Sequence, residues 1–228
     1  MAEFDRLAPD YQALLKDPIR DPFAPDATFF VTRKVQVLGE FAAREGIDRR
    51  RATWLDVGCG TGDLLRMGRD SFQRALGCDV SAGMLEACAD LEVTLQDDPL
   101  RLPYGDATID WLTAVCVFHH VEPGDRPPLI REMMRVLRPG GIVAVIEHNP
   151  FNPAVQIIVR RTPVDANARL LSARQARTLL RTGGVTVVDT RYFLLLPEAV
   201  HRRLGALESA LGHVPLGGQY AVFGRRAA

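Results

Sequence analysis

In Leu55-Asp56-Val57-Gly58-Cys59-Gly60-Thr61-Gly62-Asp63, a buried strand from Trp54 to Val57 runs into a glycine-rich turn and the start of a helix. The closely spaced glycines allow backbone conformations that a Cβ forbids, and they let a ligand lie against the main chain. The turn opens a helix, whose free N–H groups and macrodipole favour a carboxylate or phosphate.

A dinucleotide turn has the spacing G-x-G-x-x-G. Here Asp63 stands where the last glycine of that pattern belongs, and Gly62 comes early. A carboxylate there opposes a pyrophosphate and suits a ligand with an ammonium group. The next acid at a strand end is Asp79, in Leu76-Gly77-Cys78-Asp79-Val80-Ser81. A carboxylate after the second strand is where a ribose is held. Turn and acid together indicate a nucleoside-bearing cofactor.

At this point the chain resembles the class I S-adenosylmethionine-dependent methyltransferases. Leu55 to Asp63 is similar to their first motif, and Asp79 to their ribose-binding acid. Asp98-Pro99-Leu100-Arg101-Leu102-Pro103-Tyr104-Gly105-Asp106-Ala107-Thr108-Ile109-Asp110 resembles the family stretch D-x-x-x-L-P-F-x-D-x-x-F-D. Val117-Phe118-His119-His120-Val121 and Arg135-Val136-Leu137-Arg138-Pro139-Gly140-Gly141 follow in family order. The resemblance spans residues 54 to 147. Within the family, Leu102-Pro103-Tyr104 and His119-His120 also resemble the quinone-biosynthesis methyltransferases. It implies S-adenosyl-L-methionine as cofactor and a small-molecule acceptor.

Composition narrows the partners. The 228 residues are enough for one domain with a proper core. Lys and Arg number 28 and so do Asp and Glu, so the basic surplus of a nucleic-acid binder is missing. No apolar run reaches the roughly 18 residues of a membrane span. The acids and prolines of residues 1 to 30 do not resemble a signal peptide. Cys59, Cys78, Cys88 and Cys116 have no CxxC spacing, and read as small buried residues of a reducing compartment. The expected location is the cytoplasm; the oligomeric state is not legible.

Residues 1 to 28 read as irregular, and 29 to 45 as a helix on which Arg33 and Lys34 form a solvated face. Strands are expected at 53–57, 74–79, 93–96, 109–115, 142–146, 185–195 and 219–225. Helices are expected from Asp63 to Arg69, Ser81 to Leu91, Pro127 to Leu137, 173 to 182 and Pro197 to Leu211. Pro139-Gly140-Gly141 reads as a helix stop. Repeated βαβ units give an α/β fold: a Rossmann-like, doubly wound, mostly parallel seven-stranded sheet. Its last strand is antiparallel, as the resemblance implies. The chain is one methyltransferase domain on this reading. Residues 1–50 form an arm and helix, either packed on the surface or, as the resemblance implies, serving as a lid; 51–147 form the cofactor-binding core, and 148–228 the acceptor side.

Right-handed crossovers put ligands at the carboxyl ends of the strands. Gly58, Gly60 and Gly62 would admit the methionine portion. Asp56 would face its ammonium or else cap the turn. Asp79 would take the ribose hydroxyls or cap the next helix. The resemblance assigns Asp98 to the adenine amino group, with Asp97 as neighbour, and puts Tyr11 near the methionine end. Val80 and Leu102 are candidates to flank adenine. A hydroxyl acceptor needs a base, for which His148, His119 and His120 are the candidates, His148 foremost. Phe151, Ile157, Ile158, Phe193, Leu194 and Leu195, with the region 196–214, would shape a hydrophobic or amphipathic acceptor pocket. Arg160 and Arg161 would meet an anionic group or lie solvated. No metal is expected: Asp97, Asp98 and Asp110 form no evident cage, and Glu147 with His148 is short of ligands. The expected reaction is O-methylation of a natural-product, sugar or lipid-type molecule. The alternatives are C-methylation of a quinone-like ring and a non-catalytic cofactor-binding scaffold.

Overall fold

The computed structural model describes residues 3–26 and 28–227. Seven strands form one sheet: β1 (Thr53–Val57), β2 (Arg74–Asp79), β3 (Glu92–Leu95), β4 (Ile109–Val115), β5 (Leu137–His148), β6 (Val185–Phe193) and β7 (Gln219–Arg226). Their order is β3-β2-β1-β4-β5-β7-β6. β1 pairs in parallel with β2 and β4, β2 with β3, and β4 with β5. β7 runs antiparallel to both β5 and β6. The strand order reverses between β1 and β4, so a crevice opens above their carboxyl ends.

Ten helices are described: α1 (Glu3–Leu7), α2 (Tyr11–Leu14), α3 (Arg20–Phe23), α4 (Thr28–Arg44), α5 (Asp63–Gly68), α6 (Ala82–Leu85), α7 (Arg126–Val136), α8 (Pro153–Arg161), α9 (Ala173–Thr182) and α10 (Glu198–Ala210). Side-chain alternation along β1 sends Leu55 and Val57 to one face, with Leu129, Ile130 and Met133 of α7 and Leu180 of α9. Trp54 goes to the other face, with Val37, Leu38 and Phe41 of α4 and Leu65 of α5. Phe41 stacks on Phe223 with centroids 4.0 Å apart. Asp56 shares the Trp54 face, and this parity aims its carboxylate toward α4.

Several segments depart from the sequence reading. Residues 3–23 contain a series of short helical turns, with Pro9 in the first turn of one and Pro22 within another, where a missing N–H costs little. Pro139–Gly141 does not stop α7, which ends at Val136; it sits inside β5 as a bulge, where the register with β4 jumps from Ile109↔Leu137 to Trp111↔Ile142. Arg33 is not solvated. It is buried, and its Nη2 meets Glu208 Oε1 of α10 at 2.7 Å. Glu208 also accepts from the Leu195 and Leu196 amides, so the ion pair ties α4, α10 and the end of β6 together. The helix expected to continue from Ser81 to Leu91 shortens to α6 plus a 3-10 turn at Glu86–Cys88.

Candidate active site

A cavity of about 1010 Å³ lies over the carboxyl ends of β1, β2, β4 and β5. Its floor begins at the glycine turn, where Gly58, Gly60 and Gly62 all have positive φ. A Cβ on Gly62 would come within 2.3 Å of Leu91 Cδ1, whereas one on Gly60 would meet no protein atom within 4 Å. Gly62 is therefore required by packing. Gly60 leaves its main chain bare toward the cavity.

Asp79 closes this turn. Its Oδ2 accepts from Gly60 N at 2.8 Å and its Oδ1 from Ser81 N at 2.9 Å. Burial pushes its pKa up, against the opposing pull of these amides. Asp56 accepts from Thr113 Oγ1 at 2.5 Å, and Thr113 in turn accepts from Trp54 Nε1 at 2.8 Å. Burial raises the Asp56 carboxyl to about 7 despite that bond. Lys34 of α4 lines the cavity on the Asp56 side and pulls the carboxyl back down. Its spacing from Phe30 and Leu38, one helical turn either way, was the signal that it faces inward with them. Asp63 also lines the cavity, half exposed, and accepts from Thr61 Oγ1 and Gln12 Nε2.

Val80, Met84, Gln96, Pro99 and Leu100 line the cavity beyond Asp79. Asp97 and Asp98 are exposed and lie off its wall; Asp98 instead accepts from the Leu100 amide in a turn. The buried neighbour Gln96 lines the cavity instead, its amide fixed by donating to the Asp98 and Pro99 carbonyls. Leu102 is fully buried in the core and does not reach the cavity.

The roof is the N-terminal arm. Phe4, Tyr11, Leu15, Ile19 and Arg20 all line the cavity. Asp5 Oδ1 accepts from Ser81 Oγ at 2.6 Å and from Gly83 N at 3.1 Å, which pins α1 to the start of α6. Tyr11 is surrounded by negative groups, and burial followed by the fields of Cys116 and Asp165 raises its pKa strongly.

Three histidines stand at the far end. His119 is buried, with Nδ1 2.5 Å from Glu147 Oε2 and Nε2 3.4 Å from Asp165 Oδ1. Burial opposes its charge, but Glu147 and Asp165 outweigh burial and hold its pKa well above the ordinary value. Burial and then the His119 charge push His148 and His120 down to about 4. His148 is thus a neutral imidazole on the cavity wall, 4.0 Å from Cys116 Sγ. Glu147 is held by the Val117 and Phe118 amides.

The acceptor side differs from expectation. Val155, Ile158, Val159, Val164 and Leu194 line the cavity, while Phe151 and Ile157 are exposed and Phe193 is core. Leu195 and the region 196–214 contribute nothing to the wall, since α10 packs on α4 through Glu208 instead. Arg160 and Arg161 are exposed. The acids weighed as metal ligands stay apart, Asp110 being bound to Thr53 N and Arg138. The fold brings together a different set, His119, His120 and Asp165. Asp165 was missed because nothing local to it signals chemistry.

The donor set suits an amino acid joined to a nucleoside: a buried carboxylate and a lysine at one end, a ribose-type acid beside bare main chain, and an apolar slot. Among the described residues, no helix is long and apolar enough to cross a membrane. Residues 55–145 match the family described as methyltransferase domain. A tRNA (carboxymethyluridine(34)-5-O)-methyltransferase of Arabidopsis thaliana is 31% identical over 114 residues, 49% of this chain and 28% of that protein. Trans-aconitate 2-methyltransferase of Azoarcus sp. is 29% identical over 158 residues, 64% of this chain and 58% of that protein. The chain thus spans less than two thirds of either relative. The crystal structure of a SAM dependent methyltransferase from Archaeoglobus fulgidus superposes with a TM-score of 0.63 at 17% identity, covering 88% of this chain and all of that one, and so shares its fold. Residues 55–145 thus match a methyltransferase domain, and the chain shares the fold of the S-adenosylmethionine-dependent methyltransferases.

Proposed function

We propose that the protein transfers a methyl group from S-adenosylmethionine to an oxygen of a small or medium-sized, partly apolar acceptor. The observation that carries this reading is a single cavity joining Asp56 and Asp79 to His148. The bound cofactor supplies an electrophilic methyl on a sulfonium, and the protein supplies orientation and electrostatics. Asp79 retains lone pairs for ribose hydroxyls beyond its two amide bonds. Asp56 suits the ammonium and Lys34 the carboxylate of the methionine portion. Gly58, Gly60 and Gly62 let main chain approach that portion, and Val80 with Met84 flanks the adenine. Tyr11 and the arm exclude water above it. His148, neutral and at the acceptor end, takes the hydroxyl proton; His119 is held between two carboxylates and is less free to act as a base.

The Arabidopsis relative is named for a tRNA oxygen and the Azoarcus relative for trans-aconitate. A small acceptor is favoured because the arm roofs the cavity and the formal net charge is zero. Titration calorimetry with S-adenosylmethionine tests the cofactor half, and Asp79→Ala should bind it at least about tenfold more weakly, as loss of a charged hydrogen bond requires. A screen of phenols, sugars, carboxylic acids and amines, read by mass spectrometry, tests the acceptor half. No heat of binding would overturn the proposal. Cofactor binding without any methylated product would leave the scaffold reading.

A further inference from the structure

Two imidazole nitrogens converge on one carboxylate oxygen at the acceptor end. His119 Nε2 lies 3.4 Å and His120 Nε2 3.6 Å from Asp165 Oδ1. The ligand atoms of the three residues all fall within 4.8 Å of one another, and all three residues line the cavity. A proton shared between His119 and Asp165 explains one of these approaches. It leaves the other unexplained, because 3.6 Å is beyond hydrogen-bond reach. A tetrahedral ion with bonds of about 2.0–2.2 Å sets its ligand atoms roughly 3.4 Å apart.

The surroundings are those of a metal-binding histidine. Glu147 Oε2 engages His119 Nδ1, which leaves Nε2 directed at Asp165. A carboxylate behind a ligating imidazole fixes its tautomer and orientation. Glu147 is itself fixed by the Val117 and Phe118 amides, so the support is rigid. The edge of Phe4, with centroids 4.9 Å apart, holds the His120 ring. The formal charges of Glu147 and Asp165 balance one divalent cation.

We propose that His119 Nε2, His120 Nε2 and Asp165 Oδ1 form a three-ligand site for a divalent transition-metal ion of the zinc type, with its open position toward the cavity. Two imidazoles and one carboxylate favour zinc over magnesium, which prefers an all-oxygen shell. Three protein ligands with a free fourth position are the form of a catalytic zinc centre. The ion's role rests on the acceptor reading above: a hydroxyl bound at the open position would give up its proton to His148 more readily, leaving an oxygen anion as the better nucleophile.

Equilibrium dialysis of the chelator-treated full-length protein against Zn²⁺ tests the site, with Co²⁺ absorption as the second readout. One ion per chain is expected, bound by N and O donors. His120→Ala and Asp165→Asn should each weaken uptake at least a hundredfold, with circular dichroism unchanged. Glu147→Gln should weaken it about ten- to a hundredfold. Absence of saturable uptake, uptake in the two ligand variants undiminished from wild type, a preference for Mg²⁺, or a sulfur-to-cobalt band pointing to cysteine would each overturn the proposal. Calorimetry with S-adenosylmethionine on the same samples keeps the two readings separate: cofactor binding without zinc uptake refutes only the metal site.

Discussion

Thr113 Oγ1 donates to Asp56 Oδ1 at 2.5 Å, across the β1–β4 pairing that sets these two residues side by side. The bond is short of what a fully buried carboxylate needs, and burial raises the carboxyl to about 7. Below that pH Asp56 is protonated; above it, ionised. An ammonium ligand binds the ionised form. Affinity for S-adenosylmethionine should therefore be flat above pH 7 and fall toward tenfold per unit below it, before other groups contribute. Calorimetry from pH 5.5 to 8.5 measures this. Asp56→Asn should bind weakly with this pH dependence removed; an unchanged slope in that variant would assign the titration to another group.

His148 stands on the acceptor wall, apart from the glycine turn. His148→Ala should lower kcat about 10²- to 10⁴-fold on a hydroxyl acceptor and leave the cofactor Kd within a factor of about two. Rapid-quench turnover with parallel calorimetry separates the two constants. Undiminished turnover would favour carbon methylation of a quinone-like ring, which needs no base aimed at a hydroxyl.

Asp5 joins the arm to Ser81 and Gly83 through one carboxylate oxygen. Asp5→Ala should loosen the roof while sparing the sheet. The expected result is faster cofactor release by several-fold in stopped flow and earlier protease cleavage within the first 20 residues. A variant with wild-type release and cleavage would show that the arm is held by its apolar contacts alone.

Arg33 and Glu208 form a buried pair. Arg33→Ala strands the Glu208 charge and should cost about 3–5 kcal/mol in urea unfolding. The double variant Arg33→Met, Glu208→Leu should recover much of that loss, although the Leu195 and Leu196 amides then lose their acceptor. Equal losses in single and double variants would mean that those amide bonds, not the pairing, hold α10.

Much of the fold was legible from short-range signals. The β1 strand, glycine turn and Asp79 were readable because each needs a local residue type: apolar alternation, glycine at positive φ, an acid at a strand end. Ser172 announced α9, and its capping box with Gln175 is present. The bulge at Pro139–Gly141 was not readable, because a proline followed by glycines ends a helix and kinks a strand with the same residues.

What the sequence alone determined was the order of the seven strands, most of the helices between them and the cofactor turn, since these depend on neighbours within a few residues. The tertiary structure decided where charge goes. It buried Arg33 against Glu208, turned Lys34 and Gln96 inward while leaving Asp97 and Asp98 exposed, and brought Asp165 to His119 and His120. The physical reason is that burial, and the partner which makes burial of a charge tolerable, are set by packing between distant segments. A side chain's local pattern carries no record of which distant group will face it.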